Sequence, residues 1–268
     1  MAKQTPEPPV KTAAAEEETG SVIRAPAVAR AAAVLRLLAG NRTGLGVTEI
    51  ARRVELVPST CFHVLRALVD EGFVAFDPIN KTYRTGAGLI ALVREAMAAS
   101  EYPKVVQPWL DELVAKHHVT AIAVELDRRD RLVVVALSRS DALVSLHVNV
   151  GSRFLALTSA TGRCIAAARN ATKAELKKEF EGLRWEKAPR FEEWYADVER
   201  AKIEGVAVDR SSYIRGLTVM SSLIPQHVSA PTRGIAMVGF DHQMTERALR
   251  AIKDDLLHAV RSVATSVS

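Results

Sequence analysis

The sequence predicts an α+β protein in two parts: a small helical unit closed by a β-hairpin, then helices flanking an antiparallel-rich sheet. Three observations predict it. Up to about residue 86, short stretches with helical apolar spacing alternate with turn residues and end in two β-type runs. From Tyr102 onward, apolar β-rich runs of six to eight residues alternate with amphipathic helical segments. The length of 268 residues, 48% of them hydrophobic and 25% charged, suits two folded domains of ordinary size.

Residues 1–20 hold Pro6, Pro8, Pro9 and Gly20 around an Ala/Glu run and are expected to form a disordered tail. Ala27–Ala39 places Ala31, Val34, Leu35 and Leu38 on one helical face, and Gly40–Gly46 breaks it. A second helix, Thr48–Val54, buries Ile50 and Val54. After the turn Glu55-Leu56-Val57, Pro58 opens a third helix, where its missing N–H costs nothing. This helix runs to Glu71 and is closed by Gly72. Phe73–Phe76 and Thr82–Arg84 read as strands around the turn Asp77-Pro78-Ile79-Asn80. This order of elements is a winged helix-turn-helix, assigned to residues 21–86.

Gly88–Ser100 reads as a linker helix, within residues 87–101, carrying Leu89, Leu92, Val93 and Met97 on one side. In the remainder, 102–268, a helix over Val105–His118 precedes a hairpin of Val119–Leu126 and Leu132–Leu137 about a charged turn. A further strand is expected at Ala142–Val150 and a helix from Ser159. Thr172-Lys-Ala-Glu175 is a capping box starting another helix, and Phe191–Glu204 is a third. Strands at Val206–Asp209, Val219–Ile224 and Gly234–Phe240 and a long helix at Thr245–Val263 complete the chain.

Charge is unevenly spread. Of the net +5, residues 1–19 contribute −2 (two Lys, four acids) and residues 20–85 contribute +4 (nine Lys/Arg, five acids). The helix-turn-helix is thus the most basic segment per residue, as phosphate binding requires. No apolar run is long enough to span a bilayer, and the N-terminus has no secretory apolar core. A cytoplasmic location with no membrane partner is expected. Cys61 and Cys164 lie far apart, without Cys or His at metal-ligand spacing. They read as small buried hydrophobes, and no metal or cofactor is expected.

The third helix carries the clearest functional pattern. Cys61, Phe62, Leu65, Leu68 and Val69 fall at core spacing. Ser59, His63 and Arg66 repeat at i, i+4 and i+7 on the other side, with Thr60 beside them. A recognition helix needs this division, one side held by the other helices and one offered to the major groove. Ser59 and Thr60 suit phosphate at the helix start, and His63 and Arg66 suit base edges. Lys81, Tyr83 and Arg84 on the wing, and Arg52 and Arg53 on the second helix, are expected beside the DNA backbone.

The second part offers no catalytic constellation. His117-His118 ends a helix, where a structural role is expected, and Ser159 belongs to no nucleophile motif. The run Leu157-Thr-Ser-Ala-Thr-Gly-Arg163 has small side chains at a helix start, where exposed N–H groups suit a carboxylate.

Taken together, these residues resemble the IclR family of bacterial transcriptional regulators, from about Ser21 to Ser266. The similarity is carried by Val47-Thr-Glu-Ile-Ala-Arg-Arg53, Pro58-Ser-Thr60 with His63 and Leu65, Phe73-Val74, and Tyr83-Arg84-Thr85-Gly86. In the second part it is carried by Val150-Gly-Ser-Arg153, Ala160-Thr-Gly-Arg163, Gly205-Val-Ala-Val-Asp209 and Gly216-Leu217. The resemblance implies a GAF-like effector domain binding a small organic acid. It also implies a homodimer, often a dimer of dimers, on a palindromic double-stranded operator, controlling a catabolic operon. Pocket amides would match Ala160 and Thr161, and an acidic pocket residue would match Asp209. Relative to a small-acid-binding member, Val219 stands where a Cys can be, and Ala236 and Val238 where serines can be. Arg210-Ser211-Ser212 replaces acids that often follow Asp209. A more apolar pocket, lined by Val219, Met220, Leu223, Ala236 and Val238, is expected, favouring an aromatic acid over glyoxylate or pyruvate. Two other readings stay open: an architectural DNA-binding oligomer without ligand, and an enzyme built on the second part.

Overall fold

The computed structural model describes residues 25–41, 43–140, 148–225 and 232–266. The chain divides between Ala96 and Met97 into two compact units. The expected tail at 1–20 and most of the expected strand at 142–150 lie outside the described residues.

In the first unit, α1 (Pro26–Ala39), α2 (Val47–Arg53) and α3 (Pro58–Asp70) precede a hairpin of β1 (Val74–Asp77) and β2 (Thr82–Thr85). Val34 and Leu38 from α1, Ile50 and Ala51 from α2, and Cys61, Leu65 and Leu68 from α3 converge in one core, which Val74 and Tyr83 close. Glu55, at φ +54, turns the chain between α2 and α3. Gly72, at φ +72, reverses it after α3, a conformation that costs a β-carbon-bearing residue more than glycine. The hairpin pairs Val74 with Thr85 and Asp77 with Thr82. Leu45 adds a bridge by exchanging backbone hydrogen bonds with Tyr83. A winged helix-turn-helix results, as the order of turn residues predicts.

α4 (Ala87–Ala99) follows and buries none of its residues. α5 (Glu101–His117) begins four residues before the expected Val105. Pro103 is tolerated there because first-turn N–H groups have no helical acceptor. The buried Tyr102 holds the early turn in place, donating its hydroxyl to Gly234 O at 3.1 Å. His117 takes the structural part expected of it: a ring nitrogen lies 2.7 Å from Asp255 Oδ2, tying α5 to the last helix.

Among the described residues, six antiparallel strands form the sheet of the second unit: β3 (Thr120–Leu126), β4 (Arg131–Ser138), β5 (Arg153–Leu155), β6 (Ala207–Arg210), β7 (Leu217–Leu223) and β8 (Arg233–Phe240). Their spatial order is β5-β4-β3-β8-β7-β6. The short β5 is absent from the sequence reading. Strand alternation gives the sheet two apolar faces. Ala121, Ala123, Met220, Ile235 and Met237 pack toward α5 and α9 (Glu246–Ser266). Ile122, Val124, Ala236 and Val238 face α6 (Ser159–Ala168), α7 (Lys173–Glu181) and α8 (Phe191–Glu204), whose Trp194 is fully buried. The capping box is formed, with Thr172 Oγ1 accepting from Glu175 N and Glu175 accepting from Thr172 N. Both thiols are buried as expected; burial pushes that of Cys164 up to about 12, so it stays protonated.

Candidate functional site

The N-terminal turn of α3 is open. Its N-cap is Val57, which has no capping side chain, and Pro58 occupies the first turn. The N–H groups that follow therefore have no side-chain acceptor supplied by the cap. Ser59, His63 and Arg66 are exposed and Thr60 is half-buried, while Cys61, Leu65 and Leu68 are buried. Phe62 departs from its expected place in the core: 44% of it is exposed, its ring edge-on to His63 at 6.0 Å. At 100° per residue, Phe62, Arg66, Ser59 and His63 lie within roughly 100° of one another around the helix. The sequence reading assigned Phe62 by its chemistry rather than its angle.

On the wing, Lys81 and Arg84 are exposed. Tyr83 corrects the expectation of a DNA-side tyrosine. It is only 7% exposed, with its ring 4.8 Å from that of Phe76. Neighbours on a strand face opposite sides, so exposing Arg84 turns Tyr83 into the core. The wing turn is held by Asp77, whose carboxylate accepts from Ile79 N, Asn80 N and the Asn80 side-chain amide.

Arg52 and Arg53 converge on one acid. Arg52 reaches both oxygens of Glu49 at 2.8 and 3.0 Å, and Arg53 Nε lies 2.5 Å from Oε1. Both guanidinium groups donate to Glu49, lowering its carboxyl from 4.5 to about 2. The stabilisation from this depressed carboxyl is therefore full above pH 4.5 and is lost as pH falls toward about 2. A phosphate reaching either arginine would have to displace this acid. Glu49→Gln is expected to tighten non-specific duplex binding and steepen its salt dependence, by about 0.9 in log–log slope for each phosphate gained. Titration at several salt concentrations measures this, and an unchanged slope would keep both arginines away from DNA.

In the second unit a cavity of about 230 Å³ lies between the sheet and α6. Its walls are apolar: Ile122, Val124, Leu132, Phe154, Leu217, Val219, Ala236 and Val238 among them. One region is polar, with Thr158, Ser159, Thr161, Asp209 and Tyr213. Thr158, the N-cap of α6, does not cap the helix; its hydroxyl is turned to Leu155 O, to which it donates at 2.9 Å. Ser159 follows at φ +62, a left-handed conformation of a kind that concentrates at ligand sites. Thr161 Oγ1 donates to Ser221 Oγ at 3.0 Å, and Ser221 Oγ donates to Ile235 O.

Behind the polar region sits a buried ion cluster. Arg163, 2% exposed, donates Nε to Asp197 at 3.1 Å and Nη1 to Ser159 O at 2.9 Å. Nη1 also lies 2.9 Å from Asp209 Oδ1, within ion-pair distance but too oblique for a hydrogen bond. Asp209 Oδ2 accepts from Tyr213 N, whereas Oδ1 receives no hydrogen bond from any described residue. Asp209 thus lines the cavity 1% exposed, its charge offset from behind and one oxygen short of a donor.

The expected pocket residues are only partly brought together. Thr161, Asp209, Val219, Ala236 and Val238 line the cavity. Ala160 turns its side chain into a cluster with Cys164, Ala201 and Ala207. Met220 does not belong to the pocket: it is one residue from Val219 on β7, so strand alternation sends it to the α5–α9 face. Leu223 shares the parity of Val219 but lies four residues along, beside a second cavity with Cys164, Ala201 and Gly205. Ser159, Tyr213, Ile214 and the ion-pairing role of Arg163 were missed. Ser159 and Arg163 lie within the small-residue run that the sequence singles out, but nothing local signals Tyr213 or Ile214.

Two family models match. The IclR helix-turn-helix domain covers residues 27–78, and the bacterial transcriptional regulator IclR C-terminal domain covers residues 95–268. The glycerol operon regulatory protein of Streptomyces griseus is 28% identical over 243 residues, 89% of this chain and 93% of that protein. An IclR transcriptional regulator from Alicyclobacillus acidocaldarius has the same fold at a TM-score of 0.79 and 24% identity, over 90% of this chain and 98% of the other. So does an IclR homologue from Microbacterium hydrocarbonoxydans complexed with 4-hydroxybenzoate, at 0.71 and 18%, over 89% and 98%. With a basic helix-turn-helix ahead of a sheet domain holding a cavity, and both parts matched, this chain belongs to the IclR family of bacterial transcriptional regulators.

Proposed function

We propose that this regulator controls a catabolic operon in the cytoplasm and responds to an aromatic acid bearing a hydroxyl group. The observation that carries the reading is the polar region of an otherwise apolar cavity, where an uncapped helix start and the acid Asp209 line the same cavity. The effector's carboxylate meets the first-turn N–H groups of α6, at Ala160 and Thr161, where the helix dipole favours an anion. Its hydroxyl donates to the Asp209 carboxylate. An apolar cavity of about 150 Å³ takes up benzene, so the larger volume here has room for a substituted ring. A small acid such as pyruvate would leave the apolar walls of β3, β7 and β8 uncovered. Ser159 has no histidine beside it among the cavity-lining residues, which favours a sensor over a catalyst.

Calorimetric titration with 2- and 4-hydroxybenzoate, benzoate and pyruvate tests the reading. A hydroxybenzoate is expected to bind and raise the melting temperature of the second unit, because a ligand of the folded state stabilises it. Tight pyruvate binding with no aromatic binding would overturn it.

On the DNA side, Ser59 and Thr60 contact phosphate, His63 and Arg66 reach base edges, and Lys81 and Arg84 follow the backbone. The apolar side of α4, with Leu92, Val93 and Met97 exposed, is covered by a second copy. The resulting dimer, or dimer of dimers, reads a palindrome with half-sites about one helical turn, roughly 34 Å, apart. Sedimentation of wild type against Leu92→Glu is expected to show the variant shifted to monomer. Arg66→Ala is expected to cost about 1–3 kcal/mol on the specific site and to relax base preference there. A loss equal across all sequences would instead place Arg66 on phosphate.

A further inference from the structure

We infer that Phe62 reads the C5-methyl group of a thymine in each operator half-site, an inference that rests on α3 being the helix that enters the major groove. Phe62 lies beside Arg66 within the arc that also holds Ser59 and His63, and 44% of it is exposed. Core assembly does not account for it: α3 already gives Cys61, Leu65 and Leu68 to the core, and Phe62 stands outside that buried cluster. It is the one apolar side chain of the arc. The other three donate or accept hydrogen bonds, for which every base edge in the major groove has a complement. An aromatic ring has a single good complement on that surface, the thymine methyl, which is its only apolar group. The ring is also steadied for the purpose by its edge contact with His63 at 6.0 Å.

The position of Phe62 at the margin of the arc has a consequence. His63 lies on the far side of Ser59, so the methyl falls at one flank of the bases read by Arg66 and His63. Contacts of both kinds make the half-site polar at its centre and thymine-bearing at that flank.

The test begins with selection of a preferred duplex from a random pool by the full-length protein. Each thymine of the selected half-site is then replaced by deoxyuridine, which deletes the methyl and keeps the base pair. At one position per half-site, affinity is expected to fall about fourfold, the ratio for one methyl-sized group removed from contact. Phe62→Ala, which leaves the buried cluster of the first unit intact, is expected to bind the thymine and uracil versions of that position equally. Discrimination that persists in Phe62→Ala, or no thymine whose methyl matters, overturns the inference while α3 stays the reading helix. A loss of dimer in Phe62→Ala with unchanged methyl discrimination overturns it in favour of contact with a second copy. A pool in which no sequence is enriched overturns the recognition-helix reading, and the inference with it.

Discussion

Arg163→Ala is expected to destabilise the second unit by about 3–5 kcal/mol, because it strands the buried Asp209 carboxylate without its counterion. The effect is concentrated on Asp209, which is 1% exposed, whereas Asp197 is 30% exposed and is partly solvated once its partner is gone. Arg163 also supplies the donor for Ser159 O, so the same substitution loosens the left-handed residue at the start of α6. All three tryptophans, Trp109, Trp185 and Trp194, belong to the second unit, so fluorescence during denaturation reports that unit alone. Arg163→Met combined with Asp209→Leu removes both charges and is expected to recover much of the loss, since the penalty comes from the unpaired ion. A cost below about 1 kcal/mol for Arg163→Ala would show that Asp209 takes its compensation elsewhere.

Gly162→Ala is expected to cost about 3 kcal/mol, near the upper end for overpacking, and to remove effector binding as well. A β-carbon at Gly162 would lie 2.1 Å from the carbonyl carbon of Leu157 and 2.4 Å from its oxygen. Both are backbone atoms, so no side chain can yield and the first turn of α6 has to move from the strand end before it. That turn carries Thr158, Ser159 and Thr161, three of the five residues that line the polar region of the cavity. Denaturation and calorimetric titration of the same variant separate the two effects. Unchanged stability would mean that α6 tolerates a shift, and unchanged hydroxybenzoate affinity would remove the helix start from the binding site.

The two units were legible to different degrees for a physical reason. Helix periodicity, Pro58 at a helix start and Gly72 after its end are local signals, and α1, α2, α3 and the hairpin follow them closely. Phe191–Glu204 and the capping box at Thr172 were read correctly on the same basis. β5 was missed because a three-residue strand has no period of its own and exists only through its pairing with β4. At the site level, Asp209, Thr161, Val219, Ala236 and Val238 came from the family resemblance, and the cavity does contain them. Met220, Leu223 and Tyr83 went wrong for related reasons. Proximity along a strand does not say which side of the pleat a residue takes, or how far along the strand the cavity reaches.

Residue order alone was enough to place the helices, the wing, the basic N-terminal unit and the small-residue start of α6, since each depends on neighbours within about one or two turns of chain. Sheet order and register were not in reach of such reasoning, because antiparallel partners such as Thr120 and Val238 lie far apart in sequence. The same long-range packing put Arg163 beside Asp209, left one oxygen of that buried carboxylate without a hydrogen-bond donor among the described residues, and turned Phe62 outward. Burial and charge compensation are sums over residues from several segments, and they acquire values only when those segments meet.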